Sequence, residues 1–329
     1  SVGGAEEFAA EELATHLEQM SGVRLPVVRA PKTLPRRAIL LGNSPYLREL
    51  RIGLNAADLG KEGYMLRTVG HRLVIAGGRP RGTLYGVYAL LEDYLGCRWY
   101  APDTTFVPKR ATIRLPRLNV VRRPAFEYRE PWMYSGHIYS TWWSKHFVPE
   151  YVARTRNSGG LLHTHVHPVD ARHGGDFRIP HRGHNLSELV PAKEYATTHP
   201  EYFALHDGKR ITEGDLELCL SHPDVTRIAA DTMRRWMQEA PEADMFFIGQ
   251  SDTSNYCQCE RCVDAYRKHS TNPNGDPWGG LGWGGLAGRN LEFANEVATR
   301  LEKEFPHNRI GLFAYGATRN PPVSFSAHR

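Results

Sequence analysis

Met245-Phe246-Phe247-Ile248-Gly249-Gln250-Ser251-Asp252 is an apolar run that turns, across one glycine, into an amide, a hydroxyl and a carboxylate. A short apolar run without alternation reads as a strand buried on both faces, the habit of parallel sheets. Strand-like runs also fall at Phe126 to Tyr134, Gly160 to Thr164 and Ile310 to Tyr315. Helical patterns at Val148 to Asn157, Val225 to Glu239, Glu260 to His269 and Leu291 to Phe305 alternate with them. Such alternation predicts a parallel α/β arrangement. The strands end in Tyr134, His163, Gln250-Ser251-Asp252 and Tyr315. In a (β/α)8 barrel those ends form the face that carries the chemistry. From Pro124 on there are 206 residues and only about four strands, where a full barrel takes about 250 residues and eight strands. The expected architecture is therefore a partial TIM-type barrel, truncated at the C-terminus.

The region before it reads as a small α/β domain. Phe8, Leu13, Leu17 and Met20 recur at helical spacing over Ala5 to Met20, and Gly22 offers a C-cap. Strands follow at Leu25 to Val28 and Ala38 to Leu41, and a hairpin at Tyr64 to Val69 and Arg72 to Ala76 turns at Gly70-His71. A second helix, Arg81 to Leu95, stops at Gly96, and a proline-bearing β-like tail runs from Cys97 to Leu115. Helices are expected on one face of the sheet. Charge, proline and loss of periodicity coincide at Arg117 to Pro124, which sets the domains at 1–118 and 119–329.

Composition narrows the function class. With 41% hydrophobic and 23% charged residues among 329, the chain is an ordinary globular protein, not a disordered, collagenous or coiled-coil one. Mean hydropathy is −0.48 and no run of 18 apolar residues exists, so no membrane span is expected. Lysine and arginine exceed the acids by 41 − 36 = +5 without forming a block, which argues against nucleic acid. Ten of the 16 histidines lie between His137 and His206, with Trp132, Trp142 and Trp143 beside them. Aromatic faces with polar edges suit sugar rings, although each such residue can equally be a satisfied core or rim group.

The stretch Arg79-Pro80-Arg81-Gly82-Thr83-Leu84-Tyr85-Gly86-Val87-Tyr88, running on to Leu95-Gly96-Cys97-Arg98-Trp99-Tyr100, is a helix with small residues that lets it approach a sheet. Its start could bind an anion, with structural packing as the plainer reading. This string resembles the α/β domain found ahead of the catalytic barrel in α-glucuronidases and β-hexosaminidases, where a strand usually precedes the first helix, so the N-terminus reads as cropped. Downstream, His184-Asn185-Leu186, His199-Pro200-Glu201-Tyr202-Phe203, Leu218-Cys219-Leu220-Ser221-His222-Pro223, Asp252 with Cys257-Gln258-Cys259-Glu260-Arg261-Cys262, Phe293-Ala294-Asn295-Glu296 and Ala314-Tyr315 resemble, in order and spacing, glycoside hydrolase family 163, long catalogued as a domain of unknown function. The pattern departs at Asn185, at His222 and in the enlarged loop Gly275 to Arg289. The resemblance implies a retaining endo-β-N-acetylglucosaminidase acting on complex N-glycans. A glycan or glycoprotein is then the expected partner, with a secreted or periplasmic location although no signal peptide is visible.

Glycoside hydrolysis needs two flanking carboxyl groups, or one and the substrate's acetamido group. Asp252, at a strand end, is the expected catalytic carboxylate; the same position could cap a helix or fix a turn. Glu130 has a weaker claim, and a further carboxylate is expected beyond Arg329. Substrate contacts are expected from His163, His184, Asn185, Tyr315, Trp132 and Trp142. Cys257-x-Cys259-x-x-Cys262 with Cys219 forms a thiol cluster of structural character, either a zinc site or a disulfide with an odd cysteine. No cofactor and no catalytic metal is expected. His163-Thr164-His165-Val166-His167 places three imidazoles on one strand face, which keeps a metal-dependent barrel hydrolase as one alternative; a non-catalytic glycan-binding barrel is another. The glycine-rich loop with Trp278 and Trp283 reads either as a stacking lid or as a surface insertion.

Overall fold

The computed structural model describes residues 4–29, 31–130, 149–158, 169–214, 216–274, 284–323 and 326–328. The chain is a mixed α/β protein of two compact units, Ser1–Phe177 and Arg178–Arg329. Among the described residues no helix is long and apolar enough to cross a membrane.

In the first unit, β1 (Ala38–Leu41) lies parallel to β3 (Arg72–Gly77), β3 pairs antiparallel with β2 (Tyr64–Val69), and β2 pairs antiparallel with a strand at Asn119–Arg122. Period-two alternation sends Leu66, Leu73 and Ile75 to one face, where the helices Gly4–Ser21 and Gly82–Ala89 cover them. Met65, Val74 and Ala76 face the other way and pack with Leu40, Leu47 and Ile52. Both faces are thus covered, not one as the sequence suggests, because the short helix Tyr46–Glu49 brings Leu47 beneath the sheet. The last strand, Asn119–Arg122, lies beyond residue 118, where the domain boundary was expected; it belongs with this sheet, and the first compact unit runs on to Phe177.

The predicted helix at Arg81 to Leu95 is present as Gly82–Ala89 followed by a π-helical turn, Leu90–Tyr94. A Cβ on Gly82 would sit 2.3 Å from the Gly63 carbonyl oxygen, so only glycine lets the helix start this close to the sheet. The adjoining Arg81 is buried; its Nε donates to Glu62 at 2.9 Å and its Nη1 to the Gly175 carbonyl at 3.1 Å. Packing, not anion binding, accounts for this string.

Among the described residues two expected strands do not form. Leu25 to Val28 is irregular and pairs with no strand, and Val27 and Val28 are exposed. Phe126 to Glu130 is irregular with Phe126 exposed, while the rest of that run and Gly160 to Thr164 lie outside the described residues.

Two short antiparallel pairs form sheets of their own, Arg98–Ala101 (β4) with Thr104–Phe106 (β5) and Leu205–His206 (β7) with Lys209–Arg210 (β8), Asn119–Arg122 being β6. In the second unit, Phe246–Ile248 (β9) pairs in parallel with Ile310–Leu312 (β10), Phe246 opposite Ile310 and Ile248 opposite Leu312. All three β9 side chains are buried, as the unbroken apolar run predicts. The helix Pro223–Glu239 adds a buried face to the adjoining core: Val225, Ile228, Ala229, Thr232, Met233 and Trp236 recur along one stripe. The helix Gly285–Leu301 packs beside it, starting six residues before the apolar pattern suggests, and Glu260–His269 packs on Gly285–Leu301. Among the described residues this parallel sheet has two strands; a truncated eight-stranded barrel is an expectation that these residues do not display.

Two buried polar anchors hold the units' interiors. Glu12 accepts two hydrogen bonds from Arg154 (2.9 and 3.0 Å) and one from the Tyr88 hydroxyl (3.0 Å). Burial pushes the Glu12 pKa up, and Arg154 more than reverses it, leaving it below the ordinary value of 4.5. Asn185, 1% exposed, spends its amide on backbone: Nδ2 donates to the Phe247 carbonyl at 2.7 Å and to the His181 carbonyl at 2.5 Å, and Oδ1 accepts from the Gly249 N–H at 2.8 Å.

Replacing Glu12 by Gln should cost about 3 kcal/mol of unfolding free energy in urea, because Arg154 is left without its counter-charge. A depressed carboxyl pKa adds stability above about pH 4.5 that is lost on acidification, so the acid limb of the stability profile should be shallower in this variant. Asn185→Ala should cost about 2–3 kcal/mol, read in the same titration.

Candidate active site

The C-terminal end of β9 is where the chain leaves an apolar interior for polar groups. A Cβ on Gly249 would lie 1.7 Å from the Gly183 carbonyl oxygen, so glycine there lets the segment carrying His184 close onto the strand end. His184 Nδ1 lies 2.5 Å from the Gln250 carbonyl. A carbonyl only accepts, so Nδ1 carries the proton, and Nε2 is the ring nitrogen left to face a ligand. The His184 ring centroid is 5.2 Å from that of Phe313 and 6.3 Å from that of Tyr315. The Tyr315 hydroxyl donates to Asp252 Oδ1. His184, Asp252 and Tyr315 are all exposed, and the structure brings these three predicted residues together.

The structure adds a group that sequence reasoning missed. Glu217 lies on an extended segment whose carbonyl accepts from the Ala204 N–H at 2.9 Å and whose neighbour Leu218 bridges Phe203. Its side chain is 3% exposed and accepts from the Ser251 N–H at 2.8 Å, while the Ser251 hydroxyl donates to the Leu216 carbonyl at 2.6 Å. The Glu217 carboxyl is thereby seated one residue away from Asp252 along the partner segment. Burial pushes its pKa up to about 8 against a downward pull from the Ser251 N–H. Tyr256, raised to about 12, feels burial first and then the charges of Glu217 and Asp252. One carboxyl is therefore shielded from water and its neighbour open to it, the division of environments that separates an acid from an ionised partner. The signal was present in the sequence: a lone carboxylate inside the apolar run Leu216-Glu217-Leu218-Cys219-Leu220.

Other predicted residues fall differently. Asn185 is no substrate contact: it is buried and its amide is committed to β9 and to His181. Glu130 belongs to the first unit, where it accepts from the Tyr128 hydroxyl at 2.9 Å. Trp132, Trp142, His163, His165, His167, Trp278 and Trp283 lie outside the described residues. The sulfurs of Cys219, Cys257, Cys259 and Cys262 converge within 4.8 Å of one another beneath the site. A separate groove of about 520 Å³ is lined by Thr226, Glu292, Asn295 and Glu296. Its acids are taken by partners, Glu292 by Lys268 and Arg289, and Glu296 by Arg289 and Thr226, so they are not free to act on a ligand.

Comparison with known proteins agrees with a carbohydrate-active origin. Residues 3–90 match the model described as "Glycosyl hydrolase family 67 N-terminus". A curated relative, the probable alpha-glucuronidase A of Aspergillus terreus, is 36% identical over 91 residues, which are 27% of this chain and 11% of that protein. Among solved structures, the Streptomyces plicatus N-acetyl-β-hexosaminidase in complex with Thio-NAglucal aligns over 93% of this chain and 67% of its own, at 16% identity and a TM-score of 0.37. A mutant of that enzyme in complex with product (GlcNAc) aligns over the same shares at 15% identity and a TM-score of 0.38. At that distance the structural likeness decides neither fold nor activity. The chain thus carries features of a glycoside hydrolase, and by a match over residues 99–329 it belongs to the family described as "Domain of unknown function (DUF4838)".

Proposed function

We propose that this chain is the sugar-cleaving part of a glycoside hydrolase that acts on β-linked N-acetylglucosamine in complex N-glycans, with retention of configuration. The observation that carries the reading is the pairing of a buried carboxyl, Glu217, with an open one, Asp252, across the Ser251 backbone. The glycosyl hydrolase N-terminal match supports a glycoside hydrolase, and the motif resemblance to family 163 is what points to the substrate class.

In this reading a glycan enters over the exposed rings of His184 and Tyr315, which offer an apolar face and hydrogen-bonding edges to a sugar. Glu217 gives its proton to the glycosidic oxygen as the bond to the anomeric carbon breaks. Asp252, held by the Tyr315 hydroxyl, faces the positive charge that develops on the sugar. The Asp252 carboxylate bonds to the anomeric carbon from the opposite face as the protonated leaving oxygen departs. Glu217 then takes a proton from a water that attacks this carbon and displaces Asp252, which restores the acid and retains the configuration overall. His184 Nε2 accepts from a sugar hydroxyl and fixes the ring. Substrates of this kind are met outside the cytoplasm, which supports a secreted or periplasmic protein. The imidazoles on which a metal-dependent mechanism would draw, His163, His165 and His167, lie outside the described residues, and the four-cysteine group, with four thiolates, leaves no open position for substrate.

The test is release of oligosaccharide from glycoproteins bearing complex N-glycans by the full-length protein. Wild type should release it, Glu217→Gln and Asp252→Asn should each lose at least 100-fold in kcat/KM, and Tyr315→Phe about tenfold. Wild-type rates in the Glu217→Gln and Asp252→Asn variants would remove both residues from the chemistry. No release by wild type at any pH between 5 and 8 would remove the activity itself.

A further inference from the structure

We propose that Cys219, Cys257, Cys259 and Cys262 form a closed tetrahedral zinc site that staples together the two segments carrying Glu217 and Asp252. The inference rests on the reading of those carboxylates as the active site for its consequence, but not for the metal itself.

Cys219 Sγ lies 3.6 Å from Cys259 Sγ and 3.9 Å from Cys262 Sγ, and all four sulfurs fall within 4.8 Å of one another. A zinc ion with Zn–S bonds of about 2.3 Å sets tetrahedral edges of about 3.8 Å, and the two distances bracket that value. No pair of these sulfurs is bonded as a disulfide, and four sulfurs gathered round one point match a shared central cation, which two cysteine pairs would not require. The surroundings suit thiolates. Cys259 is the N-cap residue of the helix Glu260–His269 and Cys262 sits in its first turn, where the positive end of the helix dipole favours negative sulfur. The Leu205 N–H donates to Cys257 Sγ at 3.4 Å, and Cys262 Sγ lies 3.3 Å from Ser221 Oγ, contacts that orient ligand sulfurs from outside the first ring. Ala204, Tyr266 and Leu286 close the cluster in apolar packing, so ionised thiols there call for a cation.

The position gives the site its purpose. Cys219 follows Glu217 by two residues, and Cys257 follows Asp252 by five. Neither segment has regular secondary structure of its own: 216–220 has one isolated bridge, at Leu218, beside side-chain bonds to its carbonyls, and 249–259 contains no helix or strand. A metal bound to both converts two loops into one rigid unit, so the ion is a positioning device that never meets substrate.

The full-length protein, purified without chelator and dialysed against metal-free buffer, should contain about one zinc per chain by elemental analysis. After removal of zinc and addition of Co²⁺, it should show the visible ligand-field bands and near-ultraviolet charge-transfer bands of tetrahedral cobalt thiolate. Cys257→Ser and Cys259→Ser should lose both signatures, and Cys97→Ala, altered in the first unit, should keep them. Zinc removal should speed amide exchange at 216–221 and 251–262. Metal content far below one equivalent in wild type, no cobalt thiolate bands, or a thiol titration revealing a disulfide among the four would each overturn the site. Because metal content is read without substrate, zinc in an inactive protein would leave the site standing and sink the glycosidase reading instead. Activity in a metal-free protein would do the reverse.

Discussion

A carboxyl group taken out of water must find a hydrogen-bond donor or give up its charge, and Glu217 does some of both. The Ser251 N–H meets it at 2.8 Å, and burial disfavours its ionised form. That contact joins the extended segment after Leu216 to the turn that follows β9, and the Ser251 hydroxyl reinforces it on the Leu216 carbonyl. Everything proposed for the site depends on those two segments keeping one register, since a small slip would expose the buried carboxyl and part it from Asp252.

The scaffold explains why the register holds. β9 is apolar on both faces and lies in the core formed by the helices Pro223–Glu239 and Gly285–Leu301. Its end is fixed from the other side by Asn185, whose amide bonds Phe247 and Gly249, and by the glycine contact that lets the His184 segment approach. Beyond Gly249 the apolar packing stops, so the turn needs ties other than burial. The Ser251 hydrogen bonds supply one and the cysteine cluster the other. A rigid scaffold with its chemistry on adjoining loops is the usual division of labour in α/β proteins.

The first unit follows the same logic without the chemistry. Its sheet is buried on both faces, and its buried charges include pairs that satisfy each other, Arg81 with Glu62 and Arg154 with Glu12. Breaking such a pair costs far more than forming it gains, so these residues specify how the helices seat and have no need of a ligand.

Periodicity and turn chemistry made the elements legible from the sequence: the Gly70-His71 hairpin, the helix ending at Gly22, the buried run of β9 and the stripe from Val225 to Trp236 all follow from local rules. The same rules misread Leu25 to Val28, because β-propensity finds a strand only where a partner edge exists. They also misassigned Asn185, because a polar residue beside a histidine looks the same whether it faces a ligand or clamps a backbone. Asp252 and Tyr315 could be singled out as strand-end polar groups and His184 through its motif, both one-dimensional signals. Glu217 was not, because its meaning comes from what buries it and from the Ser251 amide that meets it. Local sequence decides which residues are apolar, which turn and which can carry charge; only the folded chain decides which of those charges is deprived of water, since desolvation is a property of neighbours brought from far along the chain.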